Sequence, residues 1–144
     1  MTKEISPSFK LHRIYTKNSL FEAETLTLSL LEHPTEPELD LQIHADINPQ
    51  EGTVYEAVLD LNITAKNKEK ELWKLRLQQA GLYSILNFSE EQKQTILNGF
   101  CMNQLYPYAC VAATHLIVQG GFAPVYLKPM NFEQLYKQQK TQAA

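Results

Sequence analysis

Two stretches near the middle of the chain alternate between apolar and polar residues, as a half-buried β-strand does. Residues 54–65 place apolar side chains at odd positions, and polar residues occupy most of the even positions. Residues 72–79 repeat the pattern, with Trp73 and Leu75 at odd positions. The polar run at 66–70 is typical of a turn. The pattern therefore predicts a β-hairpin with one apolar face.

The same alternation predicts the register of this hairpin. Odd positions of both strands must share a face, so the numbers of two opposed residues must have an even sum. A three-residue loop of Asn67, Lys68 and Glu69 meets this condition and sets Asp60 opposite Arg76, a favourable pair of charges. Asn67 is a residue type that tolerates the left-handed backbone conformation of a short loop.

Two further strands are predicted before the hairpin. Residues 39–47 alternate without exception, which indicates a strand with one solvated face. Residues 9–16 have the composition of a strand, but Ile14 places an apolar side chain on the second face. Such a strand is covered on both sides or lies in an interface. The connection at 17–38 contains leucines, and two prolines prevent regular pairing near its end.

Helical patterns follow the hairpin. Ser89, with a glutamine three residues later, forms a capping-box pattern for a first helix. Pro107 suits the first turn of a second helix, and the pair Gly120-Gly121 suits its end. Asn131 is a suitable cap for a short third helix over Phe132 to Lys137. Four strands followed by helices indicate an α+β domain.

The second predicted helix carries almost no charge on any face. A helix that is apolar all round must be covered all round, and a four-stranded sheet covers only one side of it. A monomer would leave the other side in water, so this segment predicts self-association. Small alanines would let another helix approach closely. The expected interface residues are Tyr108, Ala109, Ala112, Ala113 and Leu116.

Composition places the chain among globular proteins and excludes several classes of function. With 144 residues, 44% hydrophobic and 20% charged, we expect one domain over 9–137, between a flexible start at 1–8 and a flexible tail at 138–144. A formal net charge of -3 offers no general attraction for nucleic acid or anionic membrane. No apolar run approaches the roughly 20 residues of a membrane span, so stable membrane insertion is not expected. The first residues lack an apolar signal core, which favours the cytoplasm.

The residue types offer little catalytic or metal-binding chemistry. The sequence has no glycine-rich phosphate loop and no histidine or cysteine spacing that suits a metal, so we expect no cofactor. The two cysteines, Cys101 and Cys110, are expected to be reduced and mostly buried. One alternative is a small α+β enzyme that uses His44 or a Cys110–His115 pair, although a spacing of five puts that pair on different sides of a helix. Another is an oligomer with a purely structural role.

Several apolar and aromatic residues fall outside the clear core pattern. In one interpretation they cover the sheet and fill the edges of the core. In the other they line a groove for extended apolar peptide, where burial contributes roughly 25 cal/mol per Å² with little selectivity for sequence. The candidate groove residues are Phe21, Leu26, Leu28, Tyr83, Phe88, Phe132, Leu135 and Tyr136.

Six stretches between residues 9 and 137 have a characteristic order and spacing. They read FKLHRIYTK at 9–17, FEA at 21–23, VYE at 54–56, QQAGLYSI at 78–85, LYPYA at 105–109 and PMNF at 129–132. Together they resemble the SecB family of protein-export chaperones. The resemblance implies a four-stranded antiparallel sheet with helices packed on one side. It also implies a homotetramer, a dimer of dimers that packs through helices.

The resemblance further implies a function. SecB-like proteins are ATP-independent holdases that bind unfolded secretory precursors in long apolar grooves and pass them to the SecA motor. We therefore expect a chaperone, not an enzyme, that keeps unfolded precursor proteins competent for export by the Sec pathway. In the family, the long connection and the last helix flank the groove, which matches the candidate groove residues.

The positions that correspond to SecA docking in the family depart from its pattern. They are Asn18, Glu22, Lys74 and Arg76, of which only Glu22 is acidic. The two cations stand where better-known members have an apolar residue and an acid, and they would repel a basic partner that acids attract. The alternative function is therefore a SecB-like chaperone for clients outside export, with weak or no handoff to SecA.

Overall fold

The computed structural model describes residues 6–23 and 36–143, with side chains described as far as residue 141. Four strands pair in the order β1-β4-β3-β2, and all three pairings are antiparallel. The sheet confirms the predicted fold class. Its strands are β1 (Ser8–Ala23), β2 (Glu38–Pro49), β3 (Val54–Asn67) and β4 (Lys70–Leu86).

Three helices follow the sheet. They are α1 (Glu90–Thr95), α2 (Cys101–Gln119) and α3 (Phe132–Ala143), and a π-helical turn at Ile96–Phe100 joins α1 to α2. The capping box at Ser89 is confirmed, since the Gln92 backbone N–H donates to Ser89 Oγ at 3.2 Å. The helical path is continuous from α1 into α2.

Two helix boundaries differ from the prediction. Pro107 lies inside α2 and not in its first turn, because the helix already begins at Cys101. The neighbouring turns hold the helix together although a proline donates no backbone hydrogen bond. Helix α2 ends at Gly120 as predicted, and Gly121 takes a positive φ of 90°. Helix α3 extends six residues beyond Lys137, to Ala143.

The register of the β3–β4 hairpin differs from the predicted one by two residues. Asp60 lies opposite Gln78, and Arg76 lies opposite Asn62. A shift of two leaves every side chain on its predicted face, so the apolar row of odd positions is confirmed. Arg76 still reaches Asp60 diagonally, with Nη2 and Oδ2 3.3 Å apart.

The cause of this shift is a shorter loop combined with a β-bulge. Lys68 and Glu69 alone form the loop, and Lys68 takes the left-handed conformation that was predicted for Asn67, with a φ of 58°. A two-residue loop by itself would give opposed residues an odd sum. The bulge at Leu72, between the pairs made by Trp73 and Glu71, adds one residue and restores the even sum.

Strand β1 is longer than predicted and contains two irregularities. Its pairing with β4 shifts around His12 and again around Lys17. The first shift turns Ile14 onto the helix-covered face, where it lies opposite Gly81. The second returns odd positions to that face, so that Phe21 also points towards the helices. The bulges therefore explain why the alternation in the sequence is imperfect although the strand has one apolar face.

The core lies between the helices and the apolar face of the sheet. Leu61 and Leu77 face each other across β3 and β4, and α2 contributes Leu105 and Ile117. Burial of an aliphatic side chain of this size contributes about 1.5–3 kcal/mol relative to its exposure. The helices cover this face only in part, which leaves apolar surface open on the edge strand β2 and on α2.

Candidate functional site

The residues predicted to line one groove lie in separate places. Phe21 packs at one end of the sheet, with ring centroids 5.7 Å from Trp73 and 6.3 Å from Phe122. Leu135 and Tyr136 lie at the opposite edge, beside β2. Phe88 is half-buried against the core, and the predicted groove positions Leu26 and Leu28 lie outside the described residues.

Two of the predicted groove residues belong to the core. Tyr83 is completely buried, and its hydroxyl donates to Gln104 Oε1 at 2.9 Å. Phe132 is also buried and packs edge-on against Tyr106, with centroids 5.4 Å apart. Both side chains therefore pack within the core of the folded subunit, although Phe132 also lines a small cavity beside β2. Tyr83 already fell on the odd, core-facing positions of its strand.

An apolar row on the edge strand β2 was not among the predicted groove residues. Leu39 and Leu41 are 41% and 37% exposed, and the half-buried Ile43 continues the row towards the helices. Within the described residues, β2 has no strand on its outer side. An edge strand of this kind offers backbone N–H and C=O groups to another extended chain. The alternation of β2 predicted the apolar face but not that the helices leave it open.

A small cavity connects this row to the last helix. It measures about 110 Å³, and Ile43 and Ala45 of β2 line it together with Leu135 and Tyr136 of α3. Leu135 is exposed, and Tyr136 is half-buried. Ile43 belongs both to the β2 row and to the lining of this cavity, and we call the row and the cavity together the β2 groove. Three of the predicted groove residues, Phe132, Leu135 and Tyr136, therefore line it.

The larger cavities lie along α2. One has a volume of about 690 Å³ and opens between α2 and the strands β1 and β4. The other, of about 500 Å³, opens between α2 and the segment that follows it. Val111 and His115 line both cavities, so they form a ridge with a groove on each side.

Only part of the predicted interface lies on this exposed side of α2. Ala109 and Ala113 are buried on the side of α2 that packs against the sheet. Their small side chains let α2 lie close to the sheet, so they do not face a second helix. Tyr108 is exposed, and Ala112 and Leu116 are half-buried beside the larger cavity. Two exposed apolar side chains of α2 were not among the predicted interface residues. They are Val111, at 72%, and Val118, at 49%.

The four positions predicted to dock SecA lie on the face of the sheet that is turned away from the helices. Lys74 Nζ lies 3.4 Å from Glu22 Oε2. Arg76 is paired with Asp60, as described above. Asn18 lies opposite Gln78 and carries no charge. Exposed ion pairs contribute at most about 1 kcal/mol, but each pair neutralises one acid of this face.

A buried carboxylate lies on the same outer face. Glu56 accepts hydrogen bonds from Lys17 Nζ at 2.8 Å, from Asn48 Nδ2 at 2.9 Å and from the Tyr15 hydroxyl. Burial alone would raise the pKa of Glu56, but these three donors lower it below its ordinary value. Burial, together with the bond to Glu56, raises the pKa of Tyr15 to about 12. This cluster ties β1, β2 and β3 together.

The Cys110 thiol, one of the groups in the alternative enzyme hypothesis, is in a setting that favours its neutral form. Burial raises the pKa of the Cys110 thiol, which disfavours a thiolate nucleophile. His44 is exposed on the outer face, opposite Asp60. In the part of the chain that the structure describes, no group of three or more histidine, cysteine or acidic residues could hold a metal ion. No helix among these residues is long and apolar enough to cross a membrane.

The fold and its open surfaces define a class of protein. Helices cover one face of the sheet and leave apolar surface exposed at its edge and along α2, and exposed apolar patches of this kind mark sites of interaction. The family model described as "Preprotein translocase subunit SecB" matches residues 2–143. The chain therefore belongs to the SecB family, which is a family of chaperones and not an enzyme class.

Curated relatives with the name of this family are similar in sequence over nearly the whole chain. "Protein-export protein SecB" of Nitrosospira multiformis is 35% identical over 136 residues, which cover 94% of this chain and 85% of the relative. The protein of the same name from Chromobacterium violaceum is 34% identical, over 99% of this chain and 94% of the relative. "Protein-export protein SecB 2" of Francisella tularensis subsp. novicida is also 34% identical, over 96% and 93%.

A solved structure confirms the fold. The SecB-like chaperone Rv1957 of Mycobacterium tuberculosis, in complex with a ChAD peptide from the Rv1956 HigA1 antitoxin, matches with a TM-score of 0.69. The two sequences are 12% identical, and the match covers 85% of this chain and 88% of that one. The predicted arrangement of one antiparallel sheet with helices is therefore confirmed.

Proposed function

We propose that this chain is an ATP-independent holdase that binds unfolded precursor proteins and keeps them competent for export by the Sec pathway. The observation that carries this proposal is the family match over residues 2–143. The names of the relatives support the connection with export, and the peptide bound by Rv1957 supports the capture of extended chains. The proposed site of action is the cytoplasm, where precursors would be bound before export.

The β2 groove is the proposed site for the client. Its row of Leu39, Leu41 and Ile43 offers apolar contacts at alternate positions, which is the spacing of side chains on an extended peptide. The outer edge of β2, which no described strand covers, offers backbone hydrogen bonds that do not depend on the client's sequence. This combination supports binding of many different unfolded chains with little selectivity.

Calorimetry with a permanently unfolded protein, reduced and carboxymethylated, tests this site without nucleotide. We expect the wild type to bind and the Leu41→Ser variant to bind several-fold more weakly, because burial of a leucine side chain is worth about 1.5–3 kcal/mol. Leu20→Ser is the matched control, since Leu20 is similarly exposed but lies on the outer face. Equal affinities of the two variants would place the client elsewhere.

Self-association through α2 is the second part of the proposal. The ridge of Val111 and His115 has a groove on either side, and each groove offers a second copy of the ridge a place to pack. Packing ridge into groove between two copies would cover the apolar surface that a single subunit leaves open. We propose that the assembly is a homotetramer built as a dimer of dimers, as the family resemblance implies.

A second candidate function is a SecB-like chaperone whose clients are not handed to SecA. The ion pairs Lys74–Glu22 and Arg76–Asp60 favour it, because they neutralise acids on the face that docks SecA in the family. The unfolded-chain binding is the same in both candidates. Only the measured affinity for SecA separates them.

A further inference from the structure

Helix α2 and its surroundings are unusually poor in charge. Between Lys93 and Lys128 the sequence contains no aspartate, glutamate, lysine or arginine. His115 is the one residue of this stretch whose side chain type titrates between pH 5 and 8. It is exposed at the middle of the α2 ridge and lines both cavities. A proton taken up at His115 would thus put a charge in the centre of an uncharged surface.

Among the described residues, those that line the two cavities beside His115 offer this charge no partner. Strand β1 contributes Thr16 and Ser19 to the cavity walls, and β4 contributes Leu77 and Gln79. The titratable groups in the walls are phenols and a thiol, which are neutral in model peptides below about pH 8 and carry no negative charge there. They are Tyr108 and Cys110 of α2 and Tyr126 of the following segment.

We propose that His115 makes the association of two subunits through α2 sensitive to pH. This inference rests on the self-association proposed above. In a free subunit His115 is exposed and water can solvate its protonated form. Between two copies of the ridge the imidazole loses that water and gains no carboxylate, so the protonated form is disfavoured. Protonation therefore favours the separated subunits.

The direction of the effect follows from proton linkage. Because assembly disfavours the protonated form of His115, association releases protons. Affinity is then constant well above about pH 6.5, where histidine is neutral in both states, and falls as the pH drops below that value. Each copy contributes one His115. The affinity between the subunits therefore falls by a factor that approaches about tenfold per histidine for each pH unit below about 6.5.

Sedimentation velocity over a concentration series, at constant ionic strength, tests the proposal. We expect half-assembly of the wild type to need at least about tenfold more protein at about pH 5.5 than at about pH 7.5. His115→Gln keeps a polar side chain but removes the titration, so its assembly should not change between the two pH values. His44→Gln is the matched control, because His44 is exposed on β2, and it should behave as the wild type. Circular dichroism confirms that the subunits stay folded.

The outcomes distinguish a failure of the pH effect at His115 from a failure of the proposed self-association through α2. Assembly of the wild type that is equal at both pH values overturns the role of His115 and leaves self-association standing. Persistence of the pH effect in His115→Gln also overturns it. If that variant fails to assemble, His115→Leu must assemble equally at both pH values for the inference to hold. A wild type that is monomeric at about pH 7.5, where histidine is neutral, refutes self-association and the inference together.

Discussion

At the scale of single residues, Glu56 shows how a buried carboxylate on the outer face of a sheet can remain ionised. Its three donors come from two other strands, and they keep it ionised although it is largely removed from water. Because its pKa in the folded state is below the unfolded value, the stabilisation is complete above about pH 4.5 and is lost as the pH falls through the lowered pKa.

Replacement of Glu56 measures this contribution. We expect Glu56→Gln to lower the free energy of unfolding at neutral pH by about 1–3 kcal/mol, since it weakens a charge-assisted network and leaves Lys17 without its anion. It should also flatten the loss of stability in acid. Urea denaturation over a pH series provides the measurement, with Glu51→Gln in the exposed turn before β3 as the control. A control that loses as much stability would contradict this role.

Two single residues of the predicted client groove have a place in the core. Tyr83 and Phe132 stood out as aromatic residues without an assigned place, but both fill the core. For Tyr83, the odd position on β4 was enough to predict a core-facing side chain. The alternation of the strand is stronger evidence than the fact that the residue is aromatic. For Phe132 no signal in the sequence shows that α3 turns this side chain towards Tyr106. Burial depends on the contacts of the folded chain, which periodicity alone does not contain.

At the scale of elements, the period of two predicted the faces of the strands but not their pairing. The even-sum condition was satisfied equally by a three-residue loop and by a two-residue loop with a bulge at Leu72. The second combination exists in the structure, because Lys68 accepts the left-handed conformation. For β1, the bulges at His12 and Lys17 interrupt the alternation, and a bulge has no residue signature in this strand.

The exposed side of α2 gives a prediction about assembly. Val111→Glu should produce a smaller species in multi-angle light scattering, because a carboxylate would be buried without a partner in the interface. The substitution should leave the folded subunit intact, since Val111 is 72% exposed. Leu20→Glu introduces the same charge on the outer face and serves as the control. An unchanged mass for Val111→Glu, or an equal loss of mass in the control, would contradict the proposed interface.

The outer face of the sheet gives a prediction about SecA. We expect weak binding by the wild type, and tighter binding at low salt after Lys74→Glu and Arg76→Glu together, because the acids that these cations now neutralise become free. The gain should fade as salt rises, since exposed charges are screened over about 10 Å at 0.1 M. Calorimetry at two salt concentrations measures both effects.

A matched variant separates this local effect from net charge. Lys66→Glu and Lys68→Glu together change the charge of the chain equally, but at the tip of the β3–β4 hairpin. They should alter SecA binding less than the Lys74 and Arg76 changes do. Tight binding by the wild type that disappears when Lys74 and Arg76 are replaced would show that the two cations are contacts, and that the sign of the electrostatic argument is wrong.

At the scale of the whole molecule, the fold and family could be predicted because many stretches contribute to them at once. The six family-like stretches span most of the chain, so an error in one register or helix boundary did not change the result. The open surfaces could not be predicted in the same way. Whether Leu39 on β2 or Ala113 on α2 is exposed depends on how far the helices extend over the sheet.

The central claim concerns the whole assembled molecule, namely that it prevents unfolded chains from aggregating without using ATP. The most direct measurement is the light scattering of a thermally or chemically unfolding protein in the presence and absence of this chain, with no nucleotide. We predict suppression of aggregation at less than one assembly per client molecule. The same concentration of an inert protein of similar mass should have no effect. Full aggregation despite excess chaperone, or suppression that requires ATP, would contradict the account.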